Sequence, residues 1–262
     1  MRTIGSACLL GLLVAGLARA ADIASCGTTV ASLDTGRLVA DLDCTGSSGV
    51  QLSDRSTLDM NGHSITGGTF AAACMGSCTV VGPGDMRGAT GYALTSAPGR
   101  VTVSNVHFED NALHIDCPLS RVALTDVTTS NGGTLGGSFA IRAGKLLAQR
   151  VVVTGDLGAG ILASKGITGS DVTTSNNGDV GISSLHSIKL VRLTSTDNVG
   201  AGLYAGARVR LQDSQVTGNI HPPAGADIIT RRRPRLLNTT CGNSMSVVGS
   251  QYGPPWGVCT GD

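Results

Sequence analysis

Six-residue segments of one pattern recur through the second half of the chain: VTVSNV at 101–106, VALTDV at 122–127, ITGSDV at 167–172, IKLVRL at 188–193 and VRLQDS at 209–214. We take the fifth residue of each copy as its anchor. The anchors are Asn105, Asp126, Arg150, Asp171, Arg192, Asp213 and Asn238, mostly twenty-one residues apart. A fixed period of about 20 to 50 residues indicates one supersecondary unit stacked on copies of itself. The repeat therefore predicts a solenoid.

The apolar residues of each copy predict strands and a corner. They lie four and two places before the anchor and one and three places after it, as in Val101, Val103, Val106 and Phe108. Two period-2 strands with a phase break between them indicate a corner at the anchor, with both apolar faces inward. A third apolar segment follows, for example at 203–205, and no helical periodicity recurs. We predict an all-β fold, a single-stranded right-handed parallel β-helix with three strands per coil.

Equivalent residues of stacked coils form columns. Six places after the anchor the column reads Asn111, Gly132, Asp156, Asn177, Asn198 and Asn219. We interpret it as a turn-forming ladder of residues that tolerate a left-handed backbone. The anchor column alternates Asp126, Arg150, Asp171, Arg192 and Asp213, which predicts ion pairs between coils. Exposed pairs contribute about 0 to 1 kcal/mol each, so we expect them to fix register more than stability.

The N-terminal residues have the pattern of a secretory signal peptide. A basic residue at Arg2 precedes an apolar run at 7–17 and small residues that end at Ala20. We expect cleavage there, and a mature protein that is secreted or periplasmic. No later stretch approaches the roughly 20 apolar residues of a membrane helix, so no transmembrane segment is expected in the mature chain. The predicted divisions are the signal peptide at 1–20, an N-terminal cap with the first strands at 21–57, the β-helix at 58–240 and a C-terminal cap at 241–262.

Composition limits the classes of partner. The net charge is +1 and only 14% of residues are charged, so no global field favours nucleic acid, and we expect no nucleic-acid partner. Aromatic residues make up 3% of the chain, against 38 glycines. Sugar-binding grooves usually stack rings on aromatic faces, and this chain offers few.

Seven cysteines remain after export, and most should pair in an oxidising compartment. Sequence alone leaves the connectivity open. We expect disulfides that staple the two ends of the array, and we take Cys117 as the free thiol. Zinc is the competing interpretation, but the spacings are irregular and no histidine lies near the terminal pairs. The expected pairs are Cys26 with Cys44, Cys74 with Cys78, and Cys241 with Cys259.

The segment LDMNGHSITG at 58–67 resembles the entry coil of secreted parallel β-helix repeat proteins of the pectate-lyase-like superfamily. The CTG at 44–46 and the VVGPG at 80–84 continue the resemblance, which covers roughly residues 26–241. It implies the β-helix fold. For activity it implies less, because the superfamily includes lyases, hydrolases, epimerases and adhesins. Its lyases typically use a calcium-binding acidic cluster, so Ca²⁺ is the implied cofactor if the chain is a lyase, and none is expected otherwise.

The catalytic candidates are His114 and Asp116, which lie two residues apart and are predicted to share one outward strand face. Asp156, Asp179 and Asp197 are weak candidates for a metal site. Calcium takes six to eight oxygen ligands, and a turn ladder explains the same acidic residues without a metal. The paired-Asp and Gly-His-Gly signatures of the hydrolase branch are absent, as is the Asp-Pro-His of the epimerase branch.

Two features are candidates for ligand binding. Tyr204 alternates with apolar residues and should point outward. The run Arg231, Arg232, Arg233 and Arg235 could clamp an acidic glycan, offer a processing site, or form a solvated edge on the last coil. The period is also interrupted at 132–137 and at 220–223, and such insertions leave a solenoid as loops, often on the binding face.

Two functions of different classes are consistent with these features. In the first, the chain is an exported β-helix that binds a carbohydrate or a surface, or has a structural role, and has no identifiable catalytic centre. In the alternative, it is a carbohydrate-active enzyme, a polysaccharide lyase or hydrolase acting on an acidic polysaccharide. Few aromatics, scattered acids and absent motifs favour the first. For a binding or an enzymatic function, the candidate partner is a polysaccharide or a cell-surface glycan.

Overall fold

The structure is a computed structural model that describes residues 20–133, 138–220, 226–248 and 251–262. Residues 1–19 of the predicted signal peptide lie outside the described residues, as do 134–137 and 221–225 of the two interrupted turns. The described residues form strands and turns, with no helix among them. The predicted all-β class is therefore confirmed.

The strands follow one another along the chain with short turns between them. In order they are β1 (Ala21–Ile23), β2 (Thr29–Val30), β3 (Thr35–Leu38), β4 (Leu42–Asp43), β5 (Val50–Leu52), β6 (Ser56–Asp59), β7 (Ser64–Thr66), β8 (Phe70–Cys74), β9 (Cys78–Arg87), β10 (Tyr92–Ser96), β11 (Arg100–Glu109), β12 (Leu113–Ser130), β13 (Phe139–Thr154), β14 (Ala159–Ala163), β15 (Ile167–Ser175), β16 (Ile182–Ser184), β17 (Ile188–Thr196), β18 (Leu203–Ala205), β19 (Val209–Gln212), β20 (Gln215–Thr217), β21 (Ile228–Thr230), β22 (Arg235–Leu237), β23 (Thr240–Cys241), β24 (Ser244–Val248) and β25 (Gln251–Pro255).

Apart from β25, the strands pair in parallel with their counterparts in neighbouring coils, which gives a parallel β-solenoid of about ten coils. We call the strands before each anchor the first sheet, those after the anchor the second sheet, and the third segments of the coils the third sheet. The longer strands, such as β11 and β17, run through the anchor and belong to the first and second sheets together. The predicted three strands per coil are present.

The corner at each anchor is a single residue in the left-handed conformation. All seven anchors have φ between 48° and 58°, including the arginines Arg150 and Arg192 at 53°. One left-handed residue turns the chain, so inward-facing positions continue on both sides of it. This confirms the corner that the phase break predicts.

The residues six places after each anchor do not have the left-handed backbone conformation that their interpretation as a turn predicts. The left-handed residues lie one place earlier, for example Asn176 at 55° and Asp197 at 56°. The column itself points inward, and Asn177 and Asn198 are 0% exposed. Each of its side chains bonds to the backbone N–H of the equivalent residue in the preceding coil, as Asn198 Oδ1 does to Asn177 N at 3.2 Å. The column is therefore a buried amide ladder. The left-handed residue that precedes each ladder residue bends the backbone so that the ladder side chain points into the core.

The apolar core follows columns through the whole stack. One column of the third sheet consists of Leu94, Ile115, Ile141, Ile161, Ile182 and Leu203, each of them 0% exposed. Burial of apolar surface contributes roughly 25 cal/mol per Å², so a column of this kind supplies much of the stability that the small side chains elsewhere cannot.

Three disulfides are present as expected, Cys26–Cys44, Cys74–Cys78 and Cys241–Cys259, and Cys117 is free and buried. The first and last join residues near the two ends of the stack. Parallel pairing begins with β1 on β3 and continues to β24 on β21, so coils extend into both segments interpreted as caps. The last strand, β25, pairs antiparallel with β24.

Candidate functional site

His114 lies inside the solenoid, which contradicts the prediction of an outward strand position. Its side chain is 0% exposed, and its ring packs edge-on against Phe108 with 6.4 Å between ring centroids. His114 occupies the start of its third-sheet strand, where the turn directs the side chain into the corner, toward the amide ladder. Alternation along a strand does not hold at such a corner, and for that reason the prediction was wrong.

The hydrogen bonds of His114 fix its tautomer. Asn111 accepts from Ala89 N–H at 2.9 Å and donates from Nδ2 to Met86 O at 2.9 Å, which sets the orientation of its amide. The same Nδ2 lies 3.0 Å from Nδ1 of His114, so Nδ1 accepts and the ring proton is on Nε2. Nε2 donates to Asp156 Oδ1 at 2.9 Å. The ring is a neutral connector in the ladder, without access to a substrate.

The imidazole of His114 takes the place of the ladder side chain that Gly132 lacks. In regular coils, the ladder amide donates to the next ladder side chain, as Asn177 Nδ2 does to Asn198 Oδ1 at 2.8 Å. Gly132 occupies a ladder position but has no side-chain amide. A Cβ added there would lie 2.2 Å from Nε2 of His114. The imidazole fills this space, and its Nε2–H replaces the missing amide N–H. His114 and Gly132 are therefore one structural unit.

Asp116 is engaged elsewhere and does not pair with His114. It is 7% exposed and accepts two hydrogen bonds from the guanidinium of Arg142, on the next coil, one of them 2.8 Å from Nη2 to Oδ2. This pairing raises the pKa of Arg142. Bidentate pairs of this kind orient both partners firmly. The acid/base pair proposed from the sequence does not exist as a unit.

The three metal candidates are not brought together. Asp156 is 1% exposed and bound to His114, whereas Asp179 and Asp197 are exposed on later coils. Across the described ranges, no three His, Cys, Asp or Glu side chains are grouped so that they could hold a metal ion.

Tyr204 and Cys117 are both packed against other residues of the solenoid. Tyr204 lies on the outer face of the third sheet, as predicted, but it is half-buried against a small apolar cluster that includes Ile229 and Val247. It is therefore not a free platform for a sugar ring. Burial raises the pKa of the Cys117 thiol to about 12, so this cysteine is not a reactive nucleophile.

At the anchor corners, the predicted ion pairs form between neighbouring coils. Arg150 pairs with Asp126 and Arg192 with Asp171, in each case with an Nη2–Oδ2 distance of 2.8 Å. The Arg192 guanidinium lowers the pKa of Asp171 to about 2, and that of Arg150 lowers the pKa of Asp126. These arginines are neutralised by their partners and are not available to an anionic ligand.

The remaining cations are distributed very differently. Near the ends and corners, Arg37, Arg55, Arg87 and Arg142 form ion pairs, like the two anchor arginines. Every other lysine and arginine of the described residues lacks an ion pair, and each lies on the outer face of the first sheet or in a turn that leads into it. We call this set the basic face. It comprises Arg100, Arg121, Lys145, Lys165, Lys189, Arg208, Arg210, Arg231, Arg232, Arg233 and Arg235.

The sheet register places these cations beside one another. Arg100 pairs in register with Arg121, and Arg121 with Lys145. Further along, Lys189 pairs with Arg210, and Arg210 with Arg235. No aspartate or glutamate occupies an outward position of the first-sheet strands from Arg100 to Leu237, apart from the anchor corner. Adjacent like charges without counter-charges lower stability, so this arrangement needs a reason other than folding.

The basic face also offers shallow depressions and exposed aliphatic side chains. One depression of about 230 Å³ is lined by Lys189, Arg210 and Arg235 together with Val191 and Leu237. A second is lined by Arg121, Lys145 and Lys165 among others. Leu237 is 56% exposed and Leu147 is 46% exposed. A ligand with anionic groups and an apolar edge would fit both kinds of side chain.

The arginine run from Arg231 to Arg235 is therefore the end of a longer set of cations on one face. Sequence reasoning found the run because its members are adjacent in the chain. It missed Arg100, Arg121 and Lys189, which are isolated in sequence and become neighbours only through the coil register. Comparing the third and fifth residues before each anchor from coil to coil would have shown the cations recurring on one face.

Comparison with known proteins finds no matching family model, no matching curated protein and no matching solved structure. The resemblance of residues 58–67 to the pectate-lyase-like superfamily therefore remains an expectation. Within the part of the chain that the structure describes, no helix is long and apolar enough to cross a membrane.

Proposed function

We propose that this protein is an exported, non-catalytic binding module that holds an acidic polysaccharide on its basic face. One observation carries the proposal: the unpaired cations share one face of the solenoid, although the whole chain has a net charge of only +1. Export is supported by the three disulfides, which are typical of oxidising compartments, and by the signal-peptide pattern.

The chemistry of the face favours a repeating anion. Arginine presents a planar set of donors that matches carboxylate and sulfate groups, and the strand spacing repeats these donors every 4.8 Å or so. A uronic acid or sulfated polymer carries anionic groups at regular intervals along its length, so it can meet several cations at once. Its sugar rings also have apolar edges that could contact Leu147 and Leu237.

The alternative of a polysaccharide lyase loses its proposed acid/base pair. His114 is enclosed in the core, and Asp116 is bound to Arg142. Neither side chain lies on the basic face, where an acidic polymer would bind. The binding function therefore has the stronger geometric support.

Serine substitution of Lys189, Arg210 and Arg235 together is expected to weaken binding of alginate or pectate at least about tenfold, because three direct charge contacts are lost. The measurement is isothermal titration at low and moderate salt, and wild-type affinity should fall steeply as salt rises. All three residues are exposed and lack ion pairs, so the melting temperature should stay the same or rise.

The matched control replaces Arg37, Arg87 and Arg150 by serine, which removes the same charge from arginines that already have carboxylate partners. We expect its affinity to remain within about twofold of wild type, since net charge alone should matter little at moderate salt. Equal losses in both variants, no binding by wild type, or tighter binding of double-stranded DNA than of either polysaccharide would each refute the proposed function.

A further inference from the structure

The cations on the outer face of the first sheet form two rows instead of one continuous patch. The N-terminal row consists of Arg100, Arg121 and Lys145, five places before their anchors. The C-terminal row consists of Lys189, Arg210 and Arg235, three places before theirs. Between the rows lies the strand β15, whose outward positions carry Thr168 and Ser170. Lys165, in the turn before β15, lines the depression of the N-terminal row, and Arg208 and Arg233 stand beside the C-terminal row, five places before their anchors. Each row has its own depression.

Both rows run across the strands, parallel to the solenoid axis. Along a single strand of the N-terminal row, the outward position after the cation is uncharged, as with Thr102 and Ala123. In the C-terminal row one coil offers two cations, as with Arg208 and Arg210, so a ligand lying along a strand meets one or two charges. A ligand lying along the axis meets a new cation at each strand, about every 4.8 Å.

Resting on the proposed function, we infer that the polysaccharide lies along the solenoid axis and binds both rows at once, so that the protein selects chains long enough to bridge them. One row spans two strand steps, about 10 Å, and the distance from Arg100 to Arg235 spans six steps, about 29 Å. The two rows are offset sideways by two residues, roughly 7 Å, which a polymer can cross over the uncharged strand β15.

Because both rows belong to one rigid stack, binding of the second row by the same chain is intramolecular. The consequence is a step in affinity with length. Oligomers that cover one row bind weakly, oligomers that reach both rows bind much more tightly, and longer chains gain only in proportion to the number of positions at which they can bind.

The test titrates wild-type protein with size-fractionated oligoguluronates whose extended lengths run from about 10 Å to about 40 Å in steps of one sugar. We expect the dissociation constant to fall at least about tenfold over a narrow range of lengths near 29 Å and then level off. Two variants serve as matched controls, one with serine at Arg100, Arg121, Lys145 and Lys165, the other with serine at Lys189, Arg208, Arg210, Arg233 and Arg235. Each should bind short oligomers through the remaining row and lack the step.

The outcomes separate this inference from the proposed function. If neither oligomers nor polymer bind, the proposed function fails. If the polymer binds but affinity rises smoothly with length, or if a variant that lacks one row keeps the step, the basic face still binds polyanions and the two-row inference is wrong. Binding that is unaffected by removal of either row would place the ligand on another surface and overturn both.

Discussion

Replacing His114 with alanine is expected to lower the free energy of unfolding by about 3 to 5 kcal/mol, because a buried ring and its two hydrogen bonds are lost together. Asp156 would keep only the Gly132 N–H on its Oδ1, at 2.8 Å, and Asn111 would lose an acceptor. A cavity would remain where the ring packs against Phe108. If His114 were instead a surface acid or base, its replacement would change stability by less than about 0.5 kcal/mol.

A second substitution should rescue the first. Alanine already occupies the equivalent position in the neighbouring coils, at Ala93 and Ala140, and asparagine is the usual ladder residue. In the His114→Ala, Gly132→Asn double variant, the new amide should accept from Asn111 and donate to Asp156, as in regular coils. The Gly132 backbone has no left-handed φ that would exclude asparagine. Gly132→Asn alone should destabilise, because its Cβ would meet the imidazole.

Urea unfolding of the four proteins gives the coupling energy between the two positions. We expect the double variant to be more stable than either single variant, with a favourable coupling of about 2 to 3 kcal/mol. Additive losses would contradict the account of His114 as a replacement for the missing ladder amide.

Replacing Asp227 with alanine should lower the free energy of unfolding by about 2 to 3 kcal/mol, located at the C-terminal coils, because several N–H donors lose their hydrogen bonds to one carboxylate. Asp227 is 3% exposed and ends the amide ladder. Its Oδ1 accepts from Asn219 Nδ2 at 2.8 Å, and its Oδ2 accepts from the N–H groups of Gly242 and Asn243 at 2.7 and 3.2 Å. Alanine would remove this acceptor from the half-buried N–H groups of Gly242 and Asn243, and Asn219 Nδ2 would keep only Ser195 O and Thr217 O.

Asparagine at this position should be intermediate, because an amide has one acceptor oxygen and cannot serve both sets of donors. Hydrogen exchange is the suitable measurement, since solenoid stability is largely a sum over neighbouring coils. Protection should fall in β21 and β24 and persist in β11 and β12. Asp179→Ala, at an exposed side chain, is the control and should leave protection unchanged. Unchanged protection in the Asp227→Ala protein would show that the ladder does not hold the last coils.

The sequence was sufficient for the fold because the determinants of a solenoid are local and repeated. Each coil shows its inward positions, its corner and its third strand within about twenty-one residues, and anchors such as Asn105 fall at the observed corners. The first and last disulfides, Cys26–Cys44 and Cys241–Cys259, followed from the expectation that they staple the two ends of the stack.

The site was harder to predict because it depends on columns, which are invisible within one coil. His114 was placed outward by strand alternation, although it stands where residues of other coils are alanine or glycine, such as Ala93 and Gly181. His114 is the large residue in its column, and in the next coil Gly132 is the ladder residue that has no side chain. A large residue in one column next to a missing side chain in the other indicates that His114 fills the space at Gly132. The cations of the basic face were likewise unremarkable one coil at a time.

Binding of an acidic polysaccharide by the unpaired cations of the first sheet can be observed directly by nuclear magnetic resonance. The measurement follows the arginine Nε–H resonances while the wild-type protein is titrated with oligoguluronate. We expect the resonances of Arg121, Arg210 and Arg235 to shift as ligand is added. The resonances of Arg150 and Arg192, which already have carboxylate partners, should remain in place. Shifts confined to the paired arginines, or no shift at any arginine under conditions where the polymer binds, would contradict the account.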